Sequence, residues 1–72
     1  MPRRDRRPFI AEIEDRGFHY EDETKRSIVY RRGEDRIYVS RNQLDEQWVW
    51  HTLRQHGWSE DQIRDFIARA YP

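Results

Sequence analysis

Three histidines are the residues of this 72-residue chain best suited to catalysis or metal binding. His51 and His56 are five positions apart, a spacing that puts two side chains on different faces of a helix. The chain has neither cysteine nor an H-E-x-x-H motif, so it lacks a typical zinc ligand set, and we expect no metal and no cofactor. His19 is expected on a strand, either as a solvated residue or as a general acid or base beside an arginine.

Aromatic residues and arginine offer a different chemistry, because these types dominate binding interfaces. Trp50, beside Gln47 and Arg54, falls off the apolar stripe of its predicted helix. It therefore predicts either an interaction surface that includes Arg54 or an indole folded back onto the core. Tyr38 is expected outside the core in the same way, on a strand.

The open face of a predicted β-hairpin is the main candidate surface. Gly33 suits the first central position of a type II′ turn, and the register that follows pairs Arg31 with Arg36. Two opposed arginines repel each other, so they favour a compensating anion or a nearby carboxylate such as Glu21. The predicted binding residues of this face are Val29, Arg31, Arg36, Tyr38 and His19.

Charge is balanced over the whole chain, with 14 Lys and Arg against 14 Asp and Glu. Any nucleic-acid contact must therefore depend on local patches. The one strong imbalance is the arginine-rich segment of residues 1–7, which is typical of a disordered basic arm. The arm is either a solubilising tail or an anion contact, with Arg3 and Arg4 as candidate binding residues.

Two glycine–aromatic pairs, Gly17-Phe18 and Gly57-Trp58, divide the chain into elements. Each follows an amphipathic stretch and predicts a helix that ends at a left-handed glycine, with the next apolar side chain packing back. Ser59 with Gln62 predicts a capping box, and Trp58 with Ile63 a hydrophobic staple. The predicted helices cover residues 8–16, 44–56 and 60–70, and the predicted strands cover residues 18–21, 26–32 and 36–40.

The apolar faces of these elements predict the core. Glu12 is expected to point away from it on the first helix. The sheet is expected to contribute Phe18, Tyr20, Ile28, Tyr30, Ile37 and Val39 beneath the helices. We therefore predict one small α+β domain over residues 8–72, of order αβββαα, with helices packed on one face of a three-stranded antiparallel meander.

This order resembles the HicA toxin family, small ribonuclease toxins with a double-stranded-RNA-binding-type fold. The resemblance spans about residues 9–59 and is carried by Gly17-Phe18, by Ile37-Tyr38-Val39-Ser40-Arg41-Asn42 and by Thr52-Leu53-Arg54-Gln55-His56-Gly57-Trp58-Ser59. The resemblance implies a double-stranded-RNA-binding-type fold and contact with RNA. The family places its catalytic histidine in Gly-Ser-His on the second strand, where this chain has Lys25-Arg26-Ser27-Ile28. A cleavage mechanism that needs that base is therefore unsupported.

These observations together predict a non-catalytic binding or regulatory module that contacts RNA through the open sheet face. The alternatives are a protein-docking regulator or inhibitor of a larger complex, of phage or bacterial type, and a ribonuclease toxin that uses His19. No apolar run approaches the roughly 20 residues of a membrane helix, so we expect a cytoplasmic protein without a membrane partner.

Overall fold

The computed structural model describes residues 3–72 as an α+β fold. In chain order the elements are β1 (Arg3–Arg4), α1 (Arg6–Asp15), β2 (His19–Glu23), β3 (Ser27–Arg32), β4 (Asp35–Ser40), β5 (Leu44–Asp45), α2 (Glu46–Gln55) and α3 (Glu60–Ala70). Strands β2, β3 and β4 form the predicted antiparallel meander, with β3 in the centre. The predicted αβββαα order is confirmed, and the short strands β1 and β5 add a second, two-stranded sheet.

The hairpin between β3 and β4 has the predicted register. Arg31 pairs with Arg36 and Val29 with Tyr38. Gly33 has a φ of +62°, and no non-glycine residue among those described has a positive φ. The turn therefore needs a left-handed residue only at its first central position, which is where a type II′ turn places glycine.

Both glycine–aromatic pairs end helices as predicted. Gly17 and Gly57 have φ values of +95° and +106°. The backbone N–H of Phe18 donates to the carbonyl of Ile13 at 3.0 Å, and that of Trp58 donates to the carbonyl of Leu53 at 3.0 Å. These are the six-residue hydrogen bonds of the Schellman motif, and they satisfy helix carbonyls that would otherwise lack a partner.

Arg32 joins the two helix ends. From the end of β3, its Nη1 donates to the carbonyl of Arg16 at 3.0 Å, and its Nη2 donates to the carbonyl of His56 at 3.3 Å. Its guanidinium carbon also lies 4.4 Å from the centroid of the Phe18 ring. A positive charge is favourable at the negative end of a helix dipole. One side chain therefore ties the ends of α1 and α2 to the central strand.

The core lies between the helices and one face of the three-stranded sheet. Phe18 and Trp58, the two aromatic residues that follow the terminal glycines, stack with their ring centroids 6.3 Å apart. The residues with no exposed surface are Phe9, Ile13, Phe18, Val39, Val49, Leu53 and Ile63. The predicted capping box of Ser59 and Gln62 is present at the start of α3, so this element is fixed by local hydrogen bonds as well as by burial.

Two side chains lie where the core prediction did not put them. Tyr20 is 56% exposed, because β2 is an edge strand whose five residues are all exposed. Its hydroxyl donates to Glu23 at 3.3 Å. Glu12 is buried instead of pointing away, because it accepts a hydrogen bond of 2.9 Å from the indole nitrogen of Trp58. A buried indole N–H needs such a partner, and sequence periodicity does not reveal it.

The described part of the predicted disordered arm is ordered, while residues 1 and 2 lie outside the described residues. Arg3 pairs with Asp45, and Arg4 pairs with Leu44, in the two-stranded sheet. Asp5 then caps α1 by accepting the backbone N–H of Arg7 at 2.9 Å, which starts the helix before Pro8. The predicted start at Pro8 is therefore two residues too late.

The two ends of the described chain are in contact. The hydroxyl of Tyr71, just after α3, donates to the backbone carbonyl of Asp5 at 2.7 Å. The Tyr71 ring also lies under Arg4, whose guanidinium carbon is 5.5 Å from the ring centroid. Burial raises the pKa of Tyr71 to about 12. Folding therefore favours the neutral phenol at this position.

Replacement of Trp58 should test the buried junction of α1 and α3. We expect Trp58→Ala to lower the free energy of unfolding by about 3–5 kcal/mol, because a large buried ring is lost. Trp58→Phe should cost less, about 1–3 kcal/mol, since it keeps most of the ring but leaves Glu12 buried without its donor. Urea unfolding monitored by circular dichroism measures both. A Trp58→Phe variant as stable as the wild type would contradict a role for the hydrogen bond.

Alkaline pH should weaken the contact between the chain ends. The folded-state pKa of Tyr71, about 12, lies above the ordinary value of 10.0, so the unfolded chain loses its proton first. The stabilising contribution is therefore complete below pH 10 and lost as pH rises towards 12. Tyr71→Phe, which cannot ionise, should lose less stability than the wild type over this interval in urea titrations. Equal losses would show that Tyr71 is not the titrating group.

Candidate functional site

The opposed arginines of the sheet face are bridged by one carboxylate of the protein. Glu21 accepts hydrogen bonds from Arg36 Nε at 2.8 Å and from Arg31 Nη1 at 3.0 Å. These hydrogen bonds, first of all that from Arg36, hold the pKa of Glu21 below its usual range. The predicted role of Glu21 as compensating carboxylate is confirmed. Each arginine therefore has a carboxylate acceptor within the protein, and this single carboxylate offsets one of the two positive charges.

A bulge in β2 brings Glu21 to this position. Tyr20 pairs with Tyr30 and Asp22 with Val29, so Glu21 is the extra residue between two regular pairs. A bulge bends its strand and redirects the side chain of the extra residue. The sequence alternation that predicted a strand here does not show such an insertion.

The other predicted residues of the sheet face differ in accessibility. Tyr38 is 57% exposed, as expected of a binding residue. Val29 has the predicted register but is only 4% exposed, because its central strand is flanked on both sides, so it is not a contact residue. His19 is exposed at the start of β2 and pairs with Arg31. No hydrogen bond joins its ring to another of the described residues.

The rival surface on α2 is only partly available. Trp50 is half-buried and packs against the core, whereas Arg54 is exposed. Helix α2 is in contact with both α3 and β5, so more than its main apolar stripe is covered. The alternative of an indole folded back onto the core is therefore the one that the structure supports.

The two candidate arginines of the arm have different environments. Arg4 is committed to the fold, because its Nε donates to Glu46 at 2.8 Å and its guanidinium lies over Tyr71. Arg3 is exposed in β1 and makes no ion pair with any of the residues from 3 to 72. Only Arg3 is therefore available to a ligand.

Two adjacent grooves near β1 were not predicted from the sequence. The first, here called the aromatic groove, has a volume of about 360 Å³ and is lined by Arg3, Arg26, Ser27, Tyr38 and Trp48 among others. The second, here called the arginine groove, has a volume of about 580 Å³ and is lined by Arg3, Asp5, Arg6, Arg41, Asn42 and Gln43. The two share Arg3 and Gln43, so they form one continuous surface.

Positive charge is concentrated on this surface. Five cations lie beyond ion-pair distance from every carboxylate of the described residues: Arg3, Arg6, Lys25, Arg26 and Arg54. Three of the five, Arg3, Arg6 and Arg26, line the two grooves. The chain is neutral as a whole, yet its unpaired arginines lie mainly together. Trp48, although half-buried, and Tyr38 supply aromatic surface to the same region.

No family model, curated protein or solved structure matches the chain. The resemblance to the HicA toxin family therefore stays a prediction. Among residues 3–72, no helix is long and apolar enough to cross a membrane. Within the same residues, no three side chains of the metal-binding types come together as a ligand set.

Removal of the Glu21 carboxylate should expose the repulsion between the arginines. We expect Glu21→Gln to lower the melting temperature by no more than a few degrees, because the group is on the surface. The loss should shrink at high salt, where the arginine charges are screened. Adding Arg36→Ser to Glu21→Gln should recover part of the loss, as measured by thermal denaturation. A loss that is the same at low and high salt would contradict this electrostatic role.

Proposed function

We propose that the protein is a non-catalytic binding module that contacts single-stranded RNA through the aromatic groove. The observation that carries the proposal is the combination of two unpaired arginines, Arg3 and Arg26, with the aromatic side chains of Tyr38 and Trp48 along one groove. Proteins that bind single strands combine a basic groove for the phosphates with aromatic rings on which bases stack.

This proposal moves the contact surface away from Arg31 and Arg36. Both are hydrogen-bonded to Glu21, so a phosphate would have to compete with a carboxylate that is already in place. Arg3 and Arg26 make no ion pair among the described residues, although Asp45 also lines the aromatic groove. Tyr38 belongs to both the sheet face and the aromatic groove, and Tyr38 and Arg3 are the groove residues that the sequence also predicted as binding residues.

The residues of the groove also favour binding over cleavage. In the resemblance to the HicA family, the place of the catalytic histidine is taken here by Lys25-Arg26-Ser27-Ile28, and Arg26 and Ser27 line the aromatic groove. His19 lies in a different depression, beside Gly17, Arg31 and Gly33. A general base would have to be within hydrogen-bond reach of the RNA, so His19 does not support cleavage at this groove.

We further propose that the protein works in the cytoplasm as a small regulator. A chain without cysteine suits a reducing compartment. Contact with RNA, rather than with a larger protein complex, is favoured because unpaired arginines and aromatic rings line one groove, the combination with which proteins hold the phosphates and bases of a single strand.

Oligouridine binding should test the aromatic groove. We expect Tyr38→Ala to weaken binding about tenfold, because stacking of one base contributes about 1–3 kcal/mol. Arg26→Gln should weaken binding and reduce the slope of log affinity against log salt by about 0.7, the value for one phosphate contact in a single strand. Fluorescence anisotropy of a labelled oligouridine measures both effects.

Matched control variants exist for each change. Tyr20 is as exposed as Tyr38 but is not part of the groove, so Tyr20→Ala should bind as the wild type does. Arg54→Gln removes an unpaired arginine on α2 and should leave the salt slope unchanged. If both tyrosine variants bind equally well, the aromatic groove is not the site. If the wild type binds no oligouridine but captures a protein with little dependence on salt, the protein-docking alternative replaces this proposal.

A further inference from the structure

We propose that the arginine groove is a phosphate-binding subsite. The proposal rests on the proposed function for its biological ligand, a phosphate of the bound strand, but its chemistry is that of any phosphate group. The groove continues directly from the aromatic groove through Arg3 and Gln43. A strand whose bases stack on Tyr38 and Trp48 would therefore pass its backbone towards Arg6 and Arg41.

The donors of the groove remain available in the folded protein. Arg41 uses its Nε on the carbonyl of Thr24, at 2.8 Å, and its Nη2 on Glu23. A guanidinium has five N–H groups, so those of Nη1 are left for a ligand. Arg3 and Arg6 make no ion pair with the described residues. Asn42 and Gln43 add neutral amides to the same groove.

Arg6 gives an independent sign of an unmet contact. Its Nη1 is shielded from solvent and has no hydrogen-bond partner within the described structure. A charged nitrogen that has lost its water without gaining a partner is costly. A phosphate in the groove that Arg6 lines would stabilise the charge of this guanidinium through space, without a contact to the shielded nitrogen.

One carboxylate opposes the anion. Asp5 lines the arginine groove, and the hydrogen bonds from Arg7 hold its pKa at about 2, so it is ionised under ordinary conditions. It also accepts the backbone N–H of Arg7, so the N-terminus of α1 is already capped. Asp5 is bound by Arg7 on both oxygens, which offsets its charge. The attraction must therefore come mainly from Arg3 and Arg6, because the charge of Arg41 is already offset by Glu23.

Titration with sodium phosphate, at an ionic strength matched with sodium chloride, tests the subsite without RNA. The readout is the backbone and side-chain amide resonances of Asn42 and Gln43. We expect saturable shifts that chloride does not cause. Arg6→Gln should reduce phosphate affinity about tenfold, as for the loss of one charge-assisted hydrogen bond. Arg6→Lys should recover part of it, and Arg54→Gln should have no effect.

A second arm separates free phosphate from a phosphate of the strand. An oligouridine of roughly eight nucleotides suits the site size of a small domain. If phosphate competes with it and Arg6→Gln weakens both, the subsite takes the backbone. A second result is that free phosphate gives no saturable shifts while Arg6→Gln weakens oligouridine binding far more than Arg54→Gln does. In that case the subsite binds only a phosphate that belongs to the strand. Both results support the subsite, provided that melting temperatures show the variants to be folded.

The remaining outcomes distinguish the subsite from the proposed function. If oligouridine does not bind but phosphate shifts depend on Arg6, the RNA function fails and the subsite stands for free phosphate. The opposite result is that oligouridine binds, phosphate gives no saturable shift, and the Arg6→Gln and Arg54→Gln variants bind oligouridine with equal affinity. That result overturns the subsite while the RNA function stands.

Discussion

The contact of Arg32 with two helix ends is the constraint on which the rest of the structure depends. Helices α1 and α2 both end at a glycine, and each leaves carbonyls that a third group must satisfy. Arg32 donates to the last of these on both helices and packs over Phe18. Because Arg32 belongs to the central strand, these contacts fix the positions of both helix ends relative to the sheet. The Phe18–Trp58 stack then follows from that arrangement.

The arginines of this chain divide into those that build the fold and those that remain available. Arg4, Arg31, Arg32 and Arg36 all donate to protein oxygen atoms. This division explains why a chain with no net charge can still present a basic surface. Which arginines remain available depends on where the carboxylates lie. Several carboxylates form ion pairs with arginines outside the two grooves. Composition cannot reveal that distribution, because ion pairs form between residues distant in sequence.

Local sequence patterns predicted much of the fold. The predictions failed where contacts between residues distant in sequence determine the structure. The turn at Gly33 fixed the hairpin register because a two-residue loop leaves one pairing. The burial of Glu12 could not be predicted in this way, since its partner Trp58 is 46 positions away. The same holds for β1, whose pairing with β5 depends on tertiary structure. The two grooves combine residues from separate elements, so no local sequence motif predicts them.

The bulge in β2 has a consequence for how the sheet meets other molecules. An edge strand with free N–H and C=O groups is a template on which another chain can pair. Here the edge carries an irregular residue at Glu21 and two more acidic residues, Asp22 and Glu23. A second strand would meet irregular hydrogen-bond spacing at Glu21 and, at Asp22, a carboxylate that no arginine of the described residues offsets. The β2 edge of the sheet is therefore uncovered but poorly suited to pairing with a strand of a second copy.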